Sequence, residues 1–392
     1  MKISSWPYFD SEQIASAANV LSSGNVNRWT GNETTLFEDE FSKWSNNDYS
    51  IAVSNGSVAL TSAYMSIGLE KGTEFITTPR TFIATTSCAV LLGAKPIFAD
   101  VDHDSGAITA ESIEPLISSK TKAISVVHLA GWPADMTSIR DLAKSNNLMV
   151  IEDCSQAHGA RIKTGHKFKP VGSFGDVSTW SFCQDKIITT GGEGGMVATN
   201  SKELFKSVWS SKEHGKSFDL VNETNYPPGY RWLHETFGTN YRMTEFQSAI
   251  GRIQLKNLEK WKQKRKENAT KLRESLSDLS VIRIPWPDSG LDHAWYKFYC
   301  FINIQALVTG WNRDRIIAEI SSKGYPAFQG GCSEIYLEKC FSKMGLGPKE
   351  RLPIAKELGE TSMMFLVHPT ITKEEMESYT NTIRSVLNKA IR

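Results

Sequence analysis

Lys186 stands in the run Ser181-Phe-Cys-Gln-Asp-Lys186, with Gly191, Gly192, Gly194 and Gly195 close behind it. A lysine beside a tight, glycine-lined turn at a strand end can be held still and partly out of water. Loss of solvent disfavours the ammonium form, and a neutral lysine amine attacks carbonyls and forms Schiff bases. Taken alone, a lysine in a loop is most simply a solvated surface charge. The rest of the chain argues against that simple reading, because other segments supply the groups a Schiff-base lysine would need.

Ser54-Asn-Gly56-Ser57 follows a strand-like run and opens a helical one. Gly56 lets backbone approach closely, Ser57 offers a hydroxyl, and a helix N-terminus favours an anion such as a phosphate. Ser57 alone could equally be a plain helix cap. Ile151-Glu-Asp153-Cys-Ser-Gln156 ends an apolar strand in two acids, and ligands of open α/β folds bind beyond the carboxyl ends of strands. Pyridoxal 5′-phosphate (PLP) needs an acid beside its pyridine nitrogen to act as an electron sink. Asp153 can be that acid, and Gln156 can reach a ring substituent; one of the two acids could instead cap the next helix. Phe82 could stack on a flat ring or fill a core. Ser181, five residues before Lys186, can offer a hydroxyl to the same phosphate. Asn240 and Arg242 precede a helix start, where capping is the plain alternative.

The elements that must position these groups alternate between residues 50 and 200. Strands are expected at Ile51 to Ser54, Glu74 to Thr78, Lys95 to Ala99, Ala123 to Val127 and Leu148 to Glu152, then Val177 to Phe182 and Gly195 to Thr199. Helices are expected at Ser57 to Leu69, Ala84 to Leu92 and Met136 to Ser145. Such alternation predicts an α/β fold: a mostly parallel seven-stranded sheet covered by helices. A long helical pattern runs from Thr244 to Leu276. Its basic stretch, with Lys262, Lys264, Arg265 and Lys266, is diluted by Glu259 and Glu267 and reads as a solvated face. Prolines near Val281 to Asp288 mark a boundary. The expected division is a large domain over 1–278 and a smaller α+β domain over 279–392, with a last helix from Lys373 to Ala390. Residues 215–239 form a long aromatic stretch, expected to be functional or an arm to a partner.

With 392 residues, the chain exceeds what one core usually holds. A net charge of +1 gives no general pull toward nucleic acid or an anionic membrane. No apolar run is long enough to span a bilayer, and the N-terminus lacks the pattern of a signal peptide. Six scattered cysteines without a C-x-x-C pair suggest reduced thiols in the cytoplasm and no metal site. Several of the eleven tryptophans, among them Trp29, Trp132, Trp232 and Trp295, lie in loop-like segments and suit pockets or interfaces.

Taken in order, these segments resemble the DegT/DnrJ/EryC1/StrS family of sugar aminotransferases. The resemblance runs along nearly the whole chain. It includes Gly31 with Phe37 to Phe41, Ser54 to Leu60, Thr81 to Ala84, His128 to Met136 and Glu152 to Ala160. It continues through Ser181 to Lys186, Gly192 to Gly195, Asn240 to Glu245 and Val367-His-Pro369. It implies the fold-type-I, aspartate aminotransferase-like PLP architecture, as a homodimer with active sites at the subunit interface. It makes Lys186 the Schiff-base lysine, Asp153 the partner of the pyridine nitrogen, Gln156 the neighbour of the ring oxygen and Phe82 the stacking residue. Gly56, Ser57 and Ser181 become the phosphate cup, and Asn240 reaches the phosphate from the other subunit. The family often has threonine at Ser57, where the serine keeps the hydroxyl. Related dehydratases carry histidine at the lysine position, so Lys186 favours amine transfer. The implied donor is L-glutamate and the acceptor a keto or aldehyde sugar. Whole-chain likeness points to the 8-oxo form of 3-deoxy-manno-octulosonate, a lipopolysaccharide sugar, with a nucleotide-linked 4-keto-6-deoxyhexose as the alternative. A PLP-binding regulatory protein without turnover is a third reading. A sugar acid needs cationic contacts, for which Arg28, Arg80, His214, Lys216 and Arg231 are candidates.

Overall fold

A computed structural model describes residues 2–392. Five-residue strands β1 (Tyr49–Val53) and β5 (Met149–Asp153) flank β2 (Glu74–Thr77), β3 (Lys95–Phe98) and β4 (Thr121–Val127) in sequence. A hairpin follows, β6 (Arg161–Thr164) with β7 (Lys167–Pro170), before β8 (Val177–Ser181) and β9 (Gly195–Thr199). The central sheet has the order β1-β9-β8-β5-β4-β2-β3. Only β9 runs antiparallel to its neighbours, so the mostly parallel seven-stranded sheet expected from the alternation is present.

The period-2 geometry of strands sorts these apolar runs onto two faces. Ala52, Ile124, Val126, Val150 and Met196 face one core with Phe37, Phe41 and Trp180. Ile51, Val53, Ala123, Ile151 and Val197 face the other, under the helix Gly56–Ser66. With both faces covered, the open edge for function lies at the carboxyl ends of the parallel strands. Five of those ends lead directly into candidate segments: β1 into Asn55–Ser57, β2 into Thr81–Phe82, β4 into Leu129, β5 into Gln156, and β8 into Lys186.

The second packing centre is a small antiparallel sheet of β10 (Ile282–Arg283), β12 (Phe298–Ile302) and β13 (Ser362–Phe365), covered by helices Arg313–Ser322 and Lys373–Ala390. Its core also takes Ile3 from the N-terminal segment. Between β10 and β12 the chain returns to the large unit, where β11 (Leu291–Asp292) joins the hairpin and Ala294 and Tyr296 enter the first core. The helix Glu245–Leu276 crosses between the two centres: Leu258 belongs to the first, and Ala269, Leu272 and Leu276 belong to the second. Thr244 caps this helix in a capping box with Gln247, while Glu245 accepts from Thr34 Oγ1 (2.6 Å) and ties down the helix Glu33–Ser45.

The basic stretch of the long helix is not uniformly solvated. Lys264 and Lys266 face outward, but Lys262 and Arg265 are buried. Positions 258, 262, 265, 269, 272 and 276 fall on one helical stripe, and the stripe passes inward between the cores. Lys262 is neutralised there by Asp292 at 2.7 Å. Residues 215–239 contain a short helix, Phe218–Asn222, and fold back on themselves, with Ser217 N–H donating to Leu233 O at 2.7 Å. The fold leaves Tyr230, Trp232 and Phe237 exposed, Phe237 completely. No helix among the described residues is long and apolar enough to cross a membrane.

Candidate active site

A cavity of about 1250 Å³ opens at the carboxyl edge of the large sheet and is closed on the far side by the small unit. Gly56, Ser57, Phe82, Asp153, Gln156, Ser181 and Lys186 all line it. Asn240 does not reach it. Asn240 is exposed, bridges to Glu213 and accepts from its own Arg242 N–H at 3.3 Å.

At one end, Asn55 caps the helix Gly56–Ser66 by accepting from Val58 N–H at 2.9 Å. This leaves the first-turn N–H groups of Gly56 and Ser57 at the cavity. A Cβ on Gly56 would stand 2.7 Å from Ser181 Cβ, and one on Gly195 would stand 2.4 Å from Asn55 O. The close packing of the helix start on β8 and β9 therefore requires glycine, and it puts the Ser181 hydroxyl beside the helix N-terminus.

Asp153 ends β5 and is 4% exposed. Its Oδ2 accepts from Thr85 Oγ1 at 2.8 Å, and Thr85 in turn lies 2.8 Å from Thr81 Oγ1. Its Oδ1 accepts from Ser155 N–H at 3.1 Å. The adjacent Glu152 points the other way and is fully buried. It accepts from the N–H groups of Gly172 and Phe174 at 2.7 Å each and meets His128 Nε2 at 3.0 Å. Burial alone would raise its pKa; the His128 contact and the backbone donors outweigh this and hold it below the ordinary value. Cys154 lies close by, but both ring nitrogens of His128 and both oxygens of Glu152 are committed, His128 Nδ1 accepting from Ala134 N–H at 3.0 Å. Of the two strand-end acids, Glu152 therefore braces the fold and Asp153 faces the cavity. Gln156 Oε1 accepts from Ala130 N–H at 2.8 Å, which turns its amide N–H groups elsewhere.

Lys186 is anchored from both sides. Ile187 and Ile188 are buried in the first core, Lys186 N–H donates to Cys183 O (3.0 Å), and Lys186 O accepts from Trp6 Nε1 (2.8 Å). The Cys183–Gly192 bridge and the Phe182 N–H to Gly194 O bond (2.8 Å) close the loop at its neck. The Lys186 amine lies 5.2 Å from the centre of the Tyr296 ring. Phe82 is 68% exposed, so it is a cavity wall and not a core residue.

Five lining residues are given no part in the site by the sequence: Trp6, Asp185, Tyr296 and Lys297, and Arg265, which reads there as part of a solvated helix face. Tyr296 OH donates to Asp185, and Lys297 Nζ stands 3.7 Å from the same carboxylate. Burial pushes the Lys297 ammonium down to about 8, against the pull of Asp185. Burial would raise Asp185, but the Tyr296 hydrogen bond, Lys186 and Lys297 hold it below the ordinary carboxylate range. Only the helical period of residues 258–276 carried a signal for Arg265. None of the five cations expected to border the cleft lines this cavity within the single chain. Arg28 pairs with Glu38 (3.4 Å), Arg231 with Glu223 (3.1 Å), and Lys216 sits over Trp29 at 5.1 Å. Arg80 is buried behind the wall, against Tyr299 and bonded to Ser333, and His214 occupies a turn with φ of 62°. Arg28, Arg80, Lys216 and Arg231 find partners within the chain, which sequence spacing does not reveal.

The opposite wall comes from the segment Phe328 to Glu338 and from β13. Phe328 pairs with Met364 through bonds of 3.1 and 2.8 Å, and Ile335 N–H donates to Pro79 O at 3.0 Å. Between these two anchors, Gly330, Gly331 and Cys332 border the cavity.

The DegT/DnrJ/EryC1/StrS aminotransferase family matches residues 7–384 of the chain. The GDP-perosamine synthase of Escherichia coli O157:H7 is 41% identical over 249 residues, a match spanning 64% of this chain and 64% of that protein, under two thirds of its length. The UDP-N-acetyl-3-dehydro-alpha-D-glucosamine 3-aminotransferase of Acidithiobacillus ferrooxidans is 31% identical over 359 residues, covering 91% of this chain and 89% of that one. A solved aminotransferase structure from Psychrobacter cryohalolentis superimposes with a TM-score of 0.96 at 48% identity, over 99% of each chain. The fold, the ordered cavity segments and this match along the chain agree: the protein belongs to the DegT/DnrJ/EryC1/StrS aminotransferase family, whose members use PLP.

Proposed function

We propose that this chain transfers the amino group of L-glutamate to the carbonyl carbon of a keto or aldehyde sugar, with PLP held by its own cavity residues. The observation that carries this reading is convergence. A lysine, a buried carboxylate and a helix N-terminus with two serine hydroxyls, drawn from separate strand ends, line one cavity.

The residues fit the cofactor. The Gly56 and Ser57 N–H groups with the Ser57 and Ser181 hydroxyls make a cradle for a phosphate that a side chain at position 56 would fill. Asp153, fixed by Thr85, suits a protonated pyridine nitrogen. Phe82 covers a ring face, and Gln156 contributes amide N–H groups. PLP, when bound, supplies the electron sink that makes the donor's α-proton acidic and carries the amine between substrates. Lys186 then holds and moves that proton, its backbone anchored beside the cavity through both N–H and carbonyl. Asn240, out of reach in its own subunit, is proposed to complete the phosphate contacts of a second copy in a homodimer. All six cysteines are free, which fits work in the cytoplasm.

Two acceptors are proposed. The 8-oxo form of 3-deoxy-manno-octulosonate is one. A nucleotide-linked keto sugar is the other, and the printed names of the GDP- and UDP-linked relatives favour it. Purified protein should be yellow, and glutamate should bleach it with release of 2-oxoglutarate. Adding each acceptor to the bleached protein should restore the colour for the true substrate class alone. Colour that persists through saturating glutamate would make the chain a PLP-binding protein without this turnover.

A further inference from the structure

Arg265 leaves the long helix where its buried stripe passes between the two cores, and its side chain lines the cavity. It is 1% exposed and no carboxylate pairs with it among the described residues. Its Nη1 makes only long contacts to the carbonyl oxygens of Trp295 (3.5 Å) and Tyr296 (3.3 Å), and its Nε and Nη2 have no partner. The guanidinium lies over the Trp6 ring at 5.1 Å, and the N–H of that same ring holds the Lys186 carbonyl. Lys297 and Lys186 both stand against the Tyr296 ring, at 4.6 and 5.2 Å from its centre. The nearby acid, Asp185, is already shared by Tyr296 and Lys297.

A buried guanidinium without a counter-charge is costly, and the cost is recovered when an anion arrives. The contacts of Arg265 are to Trp295, Tyr296 and Trp6, and none is to Gly56, Ser57 or Ser181 of the proposed phosphate cradle. The planar fork of a guanidinium matches the two oxygens of a carboxylate. We propose that Arg265, with Lys297 beside it, is the carboxylate-binding subsite of this cavity. It orients a substrate carboxylate next to Lys186, brought by the donor amino acid or by a sugar-acid acceptor. This inference rests on the aminotransferase reading above.

Glutarate, a dicarboxylate with no amine to transfer, is the probe. In the cofactor-loaded protein it should raise the melting temperature of the wild type and leave that of Arg265→Met unchanged. Arg265→Met removes an uncompensated charge and should fold at least as stably as the ligand-free wild type. Should it not fold, Lys297→Met offers a second variant with the same expected loss of response. The KM for glutamate in the first half-reaction should rise about tenfold or more in Arg265→Met, with partial recovery in Arg265→Lys. A rise confined to the octulosonate acceptor in the second half-reaction would also support the subsite and would assign the carboxylate to the acceptor. An unaltered glutarate response together with unaltered KM values in both half-reactions overturns the proposal. Failure of the aminotransferase reading looks different: the wild type would show no first half-reaction, while the glutarate response would still depend on Arg265.

Discussion

Asp153 and Lys186 reach the cavity from neighbouring strands, and both are held by bonds that leave their chemistry free. Asp153 is fixed through Thr85 and a backbone N–H, and Lys186 through its own backbone. Replacing Lys186 with alanine should therefore leave the cavity intact. The variant should retain PLP without a covalent link, shift its visible absorbance and lose about 10²–10⁴-fold in single-turnover rate, the range expected for a positioned proton carrier. Unchanged absorbance would reassign the lysine. The place of Asp153 at the cavity was legible in the sequence because it ends an apolar strand, and that of Lys186 because it follows one in a short, glycine-closed loop. Arg265 was not. A basic residue among other basic residues reads as solvated unless its position on the helical stripe is weighed against its neighbours at 262 and 269.

The phosphate cradle is a property of packed elements. Gly56 lets the helix Gly56–Ser66 seat its first turn against β8, and Ser181 is the residue it would strike. Gly56→Ala should destabilise the protein by about 1–3 kcal/mol through overpacking and weaken PLP retention. Thermal unfolding and cofactor titration of the same preparation would check both. The alternation of apolar strands and helices made the large sheet readable to within a residue or two at most boundaries, because both faces of these strands are buried. The hairpin of β6 and β7 escaped notice. Its sequence, Arg161 to Pro170, is polar and largely exposed, and it has no hydrophobic face to give it a period. Strand β13 was also missed; it is only four residues long and follows directly on a helix.

Of the eight histidines in the chain, burial pushes the pKa values of His158, His293 and His368 down to about 3. The unfolded chain protonates them near the ordinary 6.5, so between these values it binds protons that the folded state refuses. Stability should fall as pH drops from 6.5 toward 3, each histidine adding up to about 1.4 kcal/mol per pH unit. His158, with neither ring nitrogen partnered, is the cleanest to test. His158→Leu should flatten the acid limb of a melting-temperature profile, and an unchanged slope would exclude it as a contributor. The proposed homodimer makes its own demand. Trp232 and Phe237 are 83% and 100% exposed on the folded-back arm, an arrangement suited to a partner surface. The double variant Trp232→Ser, Phe237→Ser should elute as a monomer with native circular dichroism and reduced turnover; an unchanged mass by light scattering would place the interface elsewhere.

The segment between Phe328 and Ile335 is pinned at both ends, by Met364 and by Pro79, while its middle faces the cavity with glycines and one cysteine. None of the proposed cofactor contacts comes from it. Its middle is braced as well: a Cβ on Gly330 would stand 2.4 Å from the Tyr299 ring, Gly331 N–H donates to Tyr299 OH at 2.8 Å, and Ser333 bonds the buried Arg80. In engineering terms the wall is a frame with one open position, the exposed Cys332, where a side chain facing the cavity can be exchanged without disturbing the braces on either side.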